Sequence, residues 1–204
     1  MRSNKKKFIY LISPLKIDTS FHSDLIKVLK HNRVSIFQLR LKKECFKKKL
    51  SIGRKIQKIC KKFNVKFLIN DDVYLAKKLN ADGCHLGQKD MNVLEARKII
   101  GNKIIGITCH NSIKLAKVAL KNKVDYLAFG AFYSSKTKKT KYKANLEILK
   151  KIKKITKIPV VAIGGINFDN YKKLLLNKAN FLAISGYIWN NKKLKPLDAI
   201  KKII

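Results

Sequence analysis

The chain has 204 residues, 46% of them hydrophobic, which is enough for one sizeable core and favours a single domain. Its formal net charge is +36, yet only five of the 48 basic residues are arginine, and lysines occur in nearly every segment. This spread argues against a protein that reads nucleic acid through bidentate arginine contacts, and no stretch approaches the ~20 apolar residues of a membrane span.

Eight short apolar runs recur along the chain and predict strands. They cover residues 8–12, 34–39, 66–69, 83–86, 103–107, 125–129, 159–163 and 181–185. The runs are continuous rather than alternating, which is typical of strands that are buried on both faces in a parallel sheet.

The segments between these runs have the spacing of amphipathic helices. From Ile52 to Phe63, for example, the apolar residues Ile52, Ile56, Ile59 and Phe63 recur every three or four positions, and lysines fill half of the other positions. Ser112 and Asn145 are predicted N-caps, and Pro196 is predicted to open the last helix. Eight alternations of strand and helix predict an α/β fold, a single-domain (β/α)8 TIM barrel with a closed parallel sheet. An open doubly wound sheet is the alternative, because periodicity alone does not establish closure.

In such a barrel, predicted here to cover residues 1–204, the chemistry occurs at the C-terminal ends of the strands. The chain has only 12 acidic residues, yet Asp71, Asp72 and Asp90 follow the third and fourth runs. Asp72 is expected to cap the next helix. Asp71 and Asp90 come from neighbouring strand ends, and two carboxylates leave room for water and phosphate oxygens around a bound Mg²⁺. The sequence therefore predicts a Mg²⁺ site at this rim.

Positive charge and backbone amides are predicted to bind phosphate at the same rim. Arg40 and Lys42 follow the second run and Lys138 lies in the loop after the sixth, where the three charges can surround a diphosphate. Backbone N–H groups at residues 164–165 and 185–186 follow the seventh and eighth runs, which is the customary place for a phosphate in a barrel. The predicted site therefore has two phosphate-binding regions with a metal between acids.

Two of these features also have a purely structural interpretation, and both interpretations stay open. His85 lies inside an apolar run, where a hydrogen-bonded core histidine and a catalytic histidine fit the sequence equally well. Gly164 and Gly165 offer backbone amides, but they also permit a tight turn.

The cysteines and the N-terminal segment predict a cytoplasmic protein. The four cysteines form no C-x-x-C pair and have no histidine spacing suited to zinc, so reduced thiols are expected. The basic start and the apolar run after it imitate a signal peptide, but Pro14 interrupts the run and no small-residue cleavage site follows.

Six motifs, read together, resemble the signatures of the thiamine phosphate synthase family. They are "FQLRLK" (37–42), "LINDD" (68–72), "ADGCHLGQKD" (81–90), "IIGITCH" (104–110), "DYLAFGAFYSSKTKK" (125–139) and "IPVVAIGGI" (158–166). The resemblance runs over nearly the whole chain and implies the (β/α)8 barrel. It also implies a transferase that joins hydroxymethylpyrimidine diphosphate to thiazole phosphate with Mg²⁺, giving thiamine phosphate and diphosphate.

The resemblance assigns roles by motif, with Asp71 and Asp90 as the Mg²⁺ ligands. The residues that it implies for substrate binding are Gln38, Arg40, Lys42, Asn70, Thr108, Ser135, Thr137, Lys138 and Gly165. The barrel position alone adds Ser185 and Gly186. Among these residues, the leaving diphosphate is expected to meet Arg40, Thr108 and Lys138 as catalytic groups. Thr108 stands where the family commonly has serine, and it keeps the hydroxyl.

The sequence leaves two other functions open. One is a tautomerase-like or inactive paralogue that binds thiazole phosphate, although such relatives tend to lose the hydroxyl and lysine pattern of the loop after the sixth run. The other is a basic nucleic-acid-binding protein, which lacks a recognisable motif and the expected interleaved aromatic residues. The expected partners are thus small molecules, with no specific nucleic acid and no membrane. Homo-oligomer formation and a carboxylated thiazole substrate are also left open.

Overall fold

A computed structural model describes residues 7–134 and 142–203 of the chain. The strands are β1 (Ile9–Ile12), β2 (Val34–Leu39), β3 (Lys66–Asn70), β4 (Gly83–Leu86), β5 (Ile104–His110), β6 (Tyr126–Gly130), β7 (Val160–Ile163) and β8 (Phe181–Ile184). The helices are α1 (Phe21–Lys30), α2 (Phe46–Lys62), α3 (Val73–Leu79), α4 (Val93–Ile100), α5 (Ile113–Lys121), α6 (Glu147–Ile155), α7 (Tyr171–Leu176), α8 (Gly186–Trp189) and α9 (Pro196–Lys202). None of these helices is long and apolar enough to cross a membrane.

The eight strands form a closed parallel barrel in chain order. Closure comes from β1, which pairs with β2 on one side and with β8 on the other, where Ile9 is opposite Leu182. The predicted (β/α)8 barrel is confirmed, and the open doubly wound sheet is wrong.

Two apolar layers explain why the strand runs are continuous. Inward-facing side chains fill the barrel interior, among them Tyr10, Leu68, Tyr126 and Val161. The alternate strand residues face outward and join the apolar stripes of the helices in a larger cluster. Because both faces of each strand are buried, polar residues are left to the strand ends, and the site lies there.

The predicted helix starts are largely confirmed. Ser112 and Asp72 each accept a hydrogen bond from the backbone amide three residues later, at 3.2 and 3.0 Å, and Pro196 is the first residue of α9. Asn145 makes the same contact at 3.2 Å, although α6 begins only at Glu147. These caps satisfy amides that would otherwise lack partners, and they fix where each helix leaves the rim.

Strand β5 is longer than its apolar run predicts. It continues to His110, so Thr108 and His110 lie within the strand rather than after it. The pairing with β6 shifts between these two residues, and His110 has a φ of 53°. Because β6 still offers backbone partners there, the ladder extends past the point where the apolar side chains end.

Candidate active site

A cavity of about 380 Å³ opens at the C-terminal ends of the strands. Seven residues that the sequence assigns to the site line it, namely Gln38, Arg40, Lys42, Asn70, Asp71, Asp90 and Thr108. They come from β2 to β5 and from the loops that follow these strands. Although they are dispersed over 71 positions of sequence, the parallel pairing of β2 to β5 brings them together at one cavity.

The two predicted metal ligands meet at one side of this cavity. Asp71 follows β3 directly, and its amide donates to the carbonyl of His85 at 2.8 Å, which ties the loop to β4. Asp90 accepts a hydrogen bond from the amide of Gly87 at 2.7 Å. The carboxyl groups of Asp71 and Asp90 are in hydrogen-bond contact, and Lys42 Nζ lies 2.8 Å from Asp71 Oδ2.

The charges around this pair shift the pKa of each acid in opposite directions. Burial acts to raise the pKa of Asp71, but the hydrogen bonds to Lys42 and Asp90 and the charge of Lys42 outweigh it, so its pKa is lowered. Burial and the contact with Asp71 raise the pKa of Asp90. Burial also lowers the pKa of Arg40, although the nearby Asp71 opposes this shift. Like charges in contact favour one shared proton, or one cation, between the two carboxyl groups.

The acid pair is suited to a metal that needs few protein ligands. Within residues 7–134 and 142–203, no group of three or more His, Cys, Asp or Glu side chains is placed to hold a metal ion. Mg²⁺ is commonly held by one or two carboxylates, with water and substrate phosphates completing its shell, and Asp71 and Asp90 fit that pattern.

A buried polar chain crosses the barrel interior at the base of the cavity, and four of its five residues line the cavity. Gln38 Nε2 donates to Tyr10 Oη at 2.9 Å, and Tyr10 Oη lies 2.8 Å from Tyr126 Oη. His85 Nδ1 lies 2.8 Å from Tyr126 Oη, and His85 Nε2 lies 2.9 Å from Thr108 Oγ1. We call these five residues the buried polar chain. The ring of His85 is hydrogen-bonded within the barrel and also lines the cavity, so both interpretations of this residue stay open.

Gly106 makes room for this chain. Along the sheet, Gly106 of β5 stands between His85 of β4 and Tyr126 of β6. A Cβ atom at Gly106 would lie less than 3.0 Å from three atoms of the Tyr126 ring, so that ring crosses directly over the glycine. The rings of His85 and Tyr126 then stack at 16°, with their centroids 5.6 Å apart.

The sequence analysis did not predict the two tyrosines of the buried polar chain. Tyr10 and Tyr126 lie in the apolar runs "FIYLI" and "DYLAF", and both are almost fully buried. Burial raises the pKa of each phenol well above its ordinary value, so both stay neutral. The available signal was chemical, since a tyrosine inside a buried strand needs a hydrogen-bond partner for its hydroxyl.

The loop after β6 packs on the glycines that follow β7. Tyr133 donates its amide to the carbonyl of Gly164 at 3.1 Å. A Cβ atom at Gly165, which has a φ of 61°, would lie less than 3.0 Å from the carbonyl oxygen of Ser134. The glycine pair therefore permits a close approach of two loops, in agreement with the structural interpretation. The phosphate contact of Gly165 stays a prediction.

Other predicted residues lie apart from the cavity or outside the described residues. Ser185 Oγ donates to the carbonyl of Ser13 at 3.1 Å, and Ser185 precedes the short helix α8 that begins at Gly186. Neither they nor Gly165 line the cavity, although all three follow β7 or β8 at the same rim. Three residues predicted in the loop after β6 lie outside the described residues, namely Ser135, Thr137 and Lys138.

The far end of that loop contributes an unpredicted wall to the cavity. Tyr142 stacks on His110 with ring centroids 3.9 Å apart and an angle of 19°, and both residues line the cavity. The carbonyl of Tyr142 accepts the amide of Ala131, and the amide of Ala144 donates to the carbonyl of Ala131 at 2.8 Å. The chain thus returns to β6 beside the point where it left.

Comparison with known proteins supports the fold and the family resemblance. The profile of the thiamine monophosphate synthase family matches residues 9–188. A curated thiamine-phosphate synthase from Pelagibacter ubique is 69% identical over the full length of both chains, and one from Erythrobacter litoralis is 40% identical over 96% of this chain and 94% of its own. The solved structure of a thiamine phosphate pyrophosphorylase from Pyrococcus furiosus superposes with a TM-score of 0.85 at 28% identity, covering 97% of this chain and 94% of that one.

Proposed function

The chain belongs to the thiamine monophosphate synthase family, enzymes of thiamine biosynthesis that act as transferases on small molecules, and on that premise we propose how its cavity works. The substrates are a hydroxymethylpyrimidine diphosphate and a thiazole phosphate, which it joins with release of diphosphate. The observation that carries this proposal is the contact between Asp71 and Asp90 beside the basic residues Arg40 and Lys42. The two carboxyl groups suit a divalent cation, and the basic side chains beside them suit a polyanion such as diphosphate.

Asp71 and Asp90 would hold Mg²⁺. The support is that their carboxyl groups are already in contact. Two ionised carboxylates in contact repel each other, so the arrangement favours either a shared proton or a bound cation. When bound, Mg²⁺ neutralises charge that builds on phosphate oxygens. Asn70, the last residue of β3, lines the cavity beside this pair and can donate its side-chain amide to the same phosphate oxygens.

The diphosphate would lie between the acid pair and the basic side chains. Burial lowers the pKa of Arg40, but a guanidinium starts so high that it stays charged. Lys42, which contacts Asp71, is half exposed and free to turn its ammonium toward an incoming phosphate. Thr108 lines the cavity across from these residues and offers a hydroxyl donor. The predicted contribution of Lys138 is a further positive charge from outside the described residues.

The floor of the cavity suits a flat ring. Ala128 and Ala183 provide small side chains, and Val161 and Ile163 provide apolar surface between them. A heteroaromatic ring can lie on this floor with one edge toward Gln38, whose amide can both donate and accept hydrogen bonds. The methylene group of the pyrimidine would then point up toward the acids and bases of the rim.

The chemistry follows from these placements. The bond between the methylene carbon and the diphosphate oxygen breaks, and its electron pair leaves with the diphosphate. The resulting carbocation is stabilised by the amino group of the pyrimidine ring, and the lone pair of the thiazole nitrogen captures it. Arg40, Lys42 and Thr108 stabilise the leaving group through charge and hydrogen bonding. No side chain needs to act as a nucleophile.

The thiazole phosphate would bind where the loops after β7 and β8 meet. The amides of Gly165, Ser185 and Gly186 follow these strands, which is the usual location of a phosphate in a barrel. The hydroxyls of Ser135 and Thr137 are predicted to join them.

A coupled assay tests this function. Purified protein with Mg²⁺ and both substrates should form thiamine phosphate, and Asp71→Asn or Asp90→Asn should each lower kcat by about 10²-fold or more. Asp198→Asn is the matched control, because Asp198 lies exposed on α9 and its salt bridge with Lys201 spans 4.0 Å. Absence of product at every Mg²⁺ concentration would refute the synthase function. Isomerisation of the thiazole phosphate without bond formation would instead favour the tautomerase-like alternative.

A further inference from the structure

The buried polar chain has a direction, which begins at Gln38. The side-chain amide nitrogen of Gln38 donates to Tyr10 Oη, so the Tyr10 oxygen is an acceptor in that contact. The proton of Tyr10 then needs an acceptor of its own, because the hydroxyl is almost fully buried. Within the described segments, the remaining contact of Tyr10 Oη is Tyr126 Oη at 2.8 Å. Tyr10 therefore donates to Tyr126.

The direction then passes through Tyr126 to His85. Tyr126 Oη accepts from Tyr10, and its own proton points to His85 Nδ1 at 2.8 Å. Nδ1 must be unprotonated in order to accept it, so the imidazole carries its proton on Nε2. That N–H donates to Thr108 Oγ1 at 2.9 Å. The hydroxyl proton of Thr108 is left to point into the cavity that Thr108 lines.

The opposite arrangements leave a buried hydroxyl without an acceptor. If the proton of His85 lay on Nδ1, as in the other tautomer, Tyr126 would have to accept from it and donate to Tyr10. Tyr10 would then accept from both Gln38 and Tyr126, and its own proton would have no partner among the described residues. An unpaired donor at a fully buried position is strongly disfavoured.

We propose that Tyr10 and Tyr126 are positioning residues, which hold His85 as the Nε2–H tautomer and thereby make Thr108 a hydrogen-bond donor toward the substrate. This inference rests on the proposed function in one respect, namely that the acceptor is the leaving diphosphate. Thr108 has one proton to give, and a leaving group that gains negative charge needs donors rather than acceptors. The buried polar chain thus determines, from the barrel interior, that the Thr108 hydroxyl donates into the cavity.

The first measurement is the protonation of His85, and it needs no substrate. In ¹⁵N-histidine-labelled protein, two-bond ¹⁵N–¹H correlation spectra distinguish a protonated ring nitrogen from an unprotonated one. The chain has only four histidines, and a His85→Gln variant identifies the signal of His85. We expect Nε2 protonated and Nδ1 unprotonated in the wild type. A proton on Nδ1 would overturn the proposal.

The second measurement tests whether the hydrogen-bond direction of the buried polar chain can be reversed. Gln38→Glu replaces the donor at the start of the buried polar chain with an acceptor. Tyr10 should then donate to the carboxylate at position 38, and the direction of every hydrogen bond from Tyr10 to His85 should reverse. We expect Nδ1 of His85 to become protonated in this variant. Gln57→Glu adds the same charge on α2, where Gln57 donates to the carbonyls of Leu79 and Asn80 at 3.0 and 3.2 Å, and it should leave His85 unchanged. An unprotonated Nδ1 in Gln38→Glu would contradict the proposed direction.

Kinetics separate positioning from packing. Tyr126→Phe should lower kcat by about 10-fold with little change in KM, whereas Tyr171→Phe, which removes a buried phenol on α7, should have no such effect. If Tyr126 acts through Thr108, the double variant Tyr126→Phe/Thr108→Val should be no slower than Thr108→Val alone. Additive losses, or a wild-type kcat in Tyr126→Phe, would refute the positioning role. A wild type that forms no thiamine phosphate would refute the proposed function and leave the tautomer measurement intact.

Discussion

Gly106→Ala should be among the most damaging single-methyl additions to this barrel. The added methyl would lie less than 3.0 Å from Cζ, Cε1 and Cε2 of Tyr126, and such a contact cannot persist. The ring of Tyr126 cannot simply turn away, because its hydroxyl is hydrogen-bonded to Tyr10 on one side and to His85 on the other. Either the strands separate locally or the hydrogen bonds break.

The expected cost has two parts. Overpacking of a well-packed core costs about 1–3 kcal/mol. Loss of partners for a buried hydroxyl costs a further ~1–3 kcal/mol. We therefore expect the free energy of unfolding to fall by about 2–6 kcal/mol, a large share of the 5–15 kcal/mol that is roughly typical of a domain.

Urea unfolding of a double-mutant set measures this effect. Tyr126→Leu removes the ring that the methyl would contact, so Gly106→Ala should cost much less in its presence, with a coupling energy of at least ~1 kcal/mol. Gly53→Ala is the matched control, because its methyl would meet Leu79 Cδ1 at 2.7 Å, the movable end of a side chain, and alanine favours the helix α2. A loss below ~0.5 kcal/mol for Gly106→Ala, or strictly additive losses, would refute the packing argument.

Two further predictions concern thiols and the loop contact. Burial raises the pKa of Cys84 to about 12, so in the native protein at mildly alkaline pH iodoacetamide should modify the exposed Cys45 and spare Cys84 until denaturant is added; native-state modification of Cys84, mapped by mass spectrometry, would contradict its burial. Gly165→Ala should lower thermal stability by more than Gly101→Ala, since both glycines have positive φ but only Gly165 faces a neighbouring loop, at Ser134; equal shifts in Tm would show that the loop contact contributes nothing.

The barrel was predictable because its strands are bounded by polar residues and glycines. Residues 34–39 and 83–86 were predicted with the bounds that β2 and β4 have. The acid pair was also predictable, since acids are scarce in this chain and two of them follow adjacent strands. In both cases the signal lies within short segments of sequence, and the pairing of neighbouring strands then brings these segments together.

The buried polar chain could not be predicted in the same way. Tyr10 and Tyr126 are 116 residues apart, and each looks like an ordinary member of an apolar strand. Their contact depends on the register of the five strand pairings that lead from β1 to β6 and on the space above Gly106. The end of β5 was missed for a related reason, since its last residues are held by β6 and not by their own hydrophobicity.

The backbone of Asp71 restricts what can replace it over evolutionary time. Its φ of 63° is a left-handed conformation, which glycine, asparagine and aspartate adopt readily and longer acidic side chains adopt at a cost of roughly 1–2 kcal/mol. If the rim also demands a carboxylate there, only aspartate meets both conditions. Glutamate, which is usually an acceptable replacement for a metal-binding aspartate, would then be selected against at position 71 by the backbone conformation alone. Asp90 has no such backbone constraint, so position 90 should vary more freely.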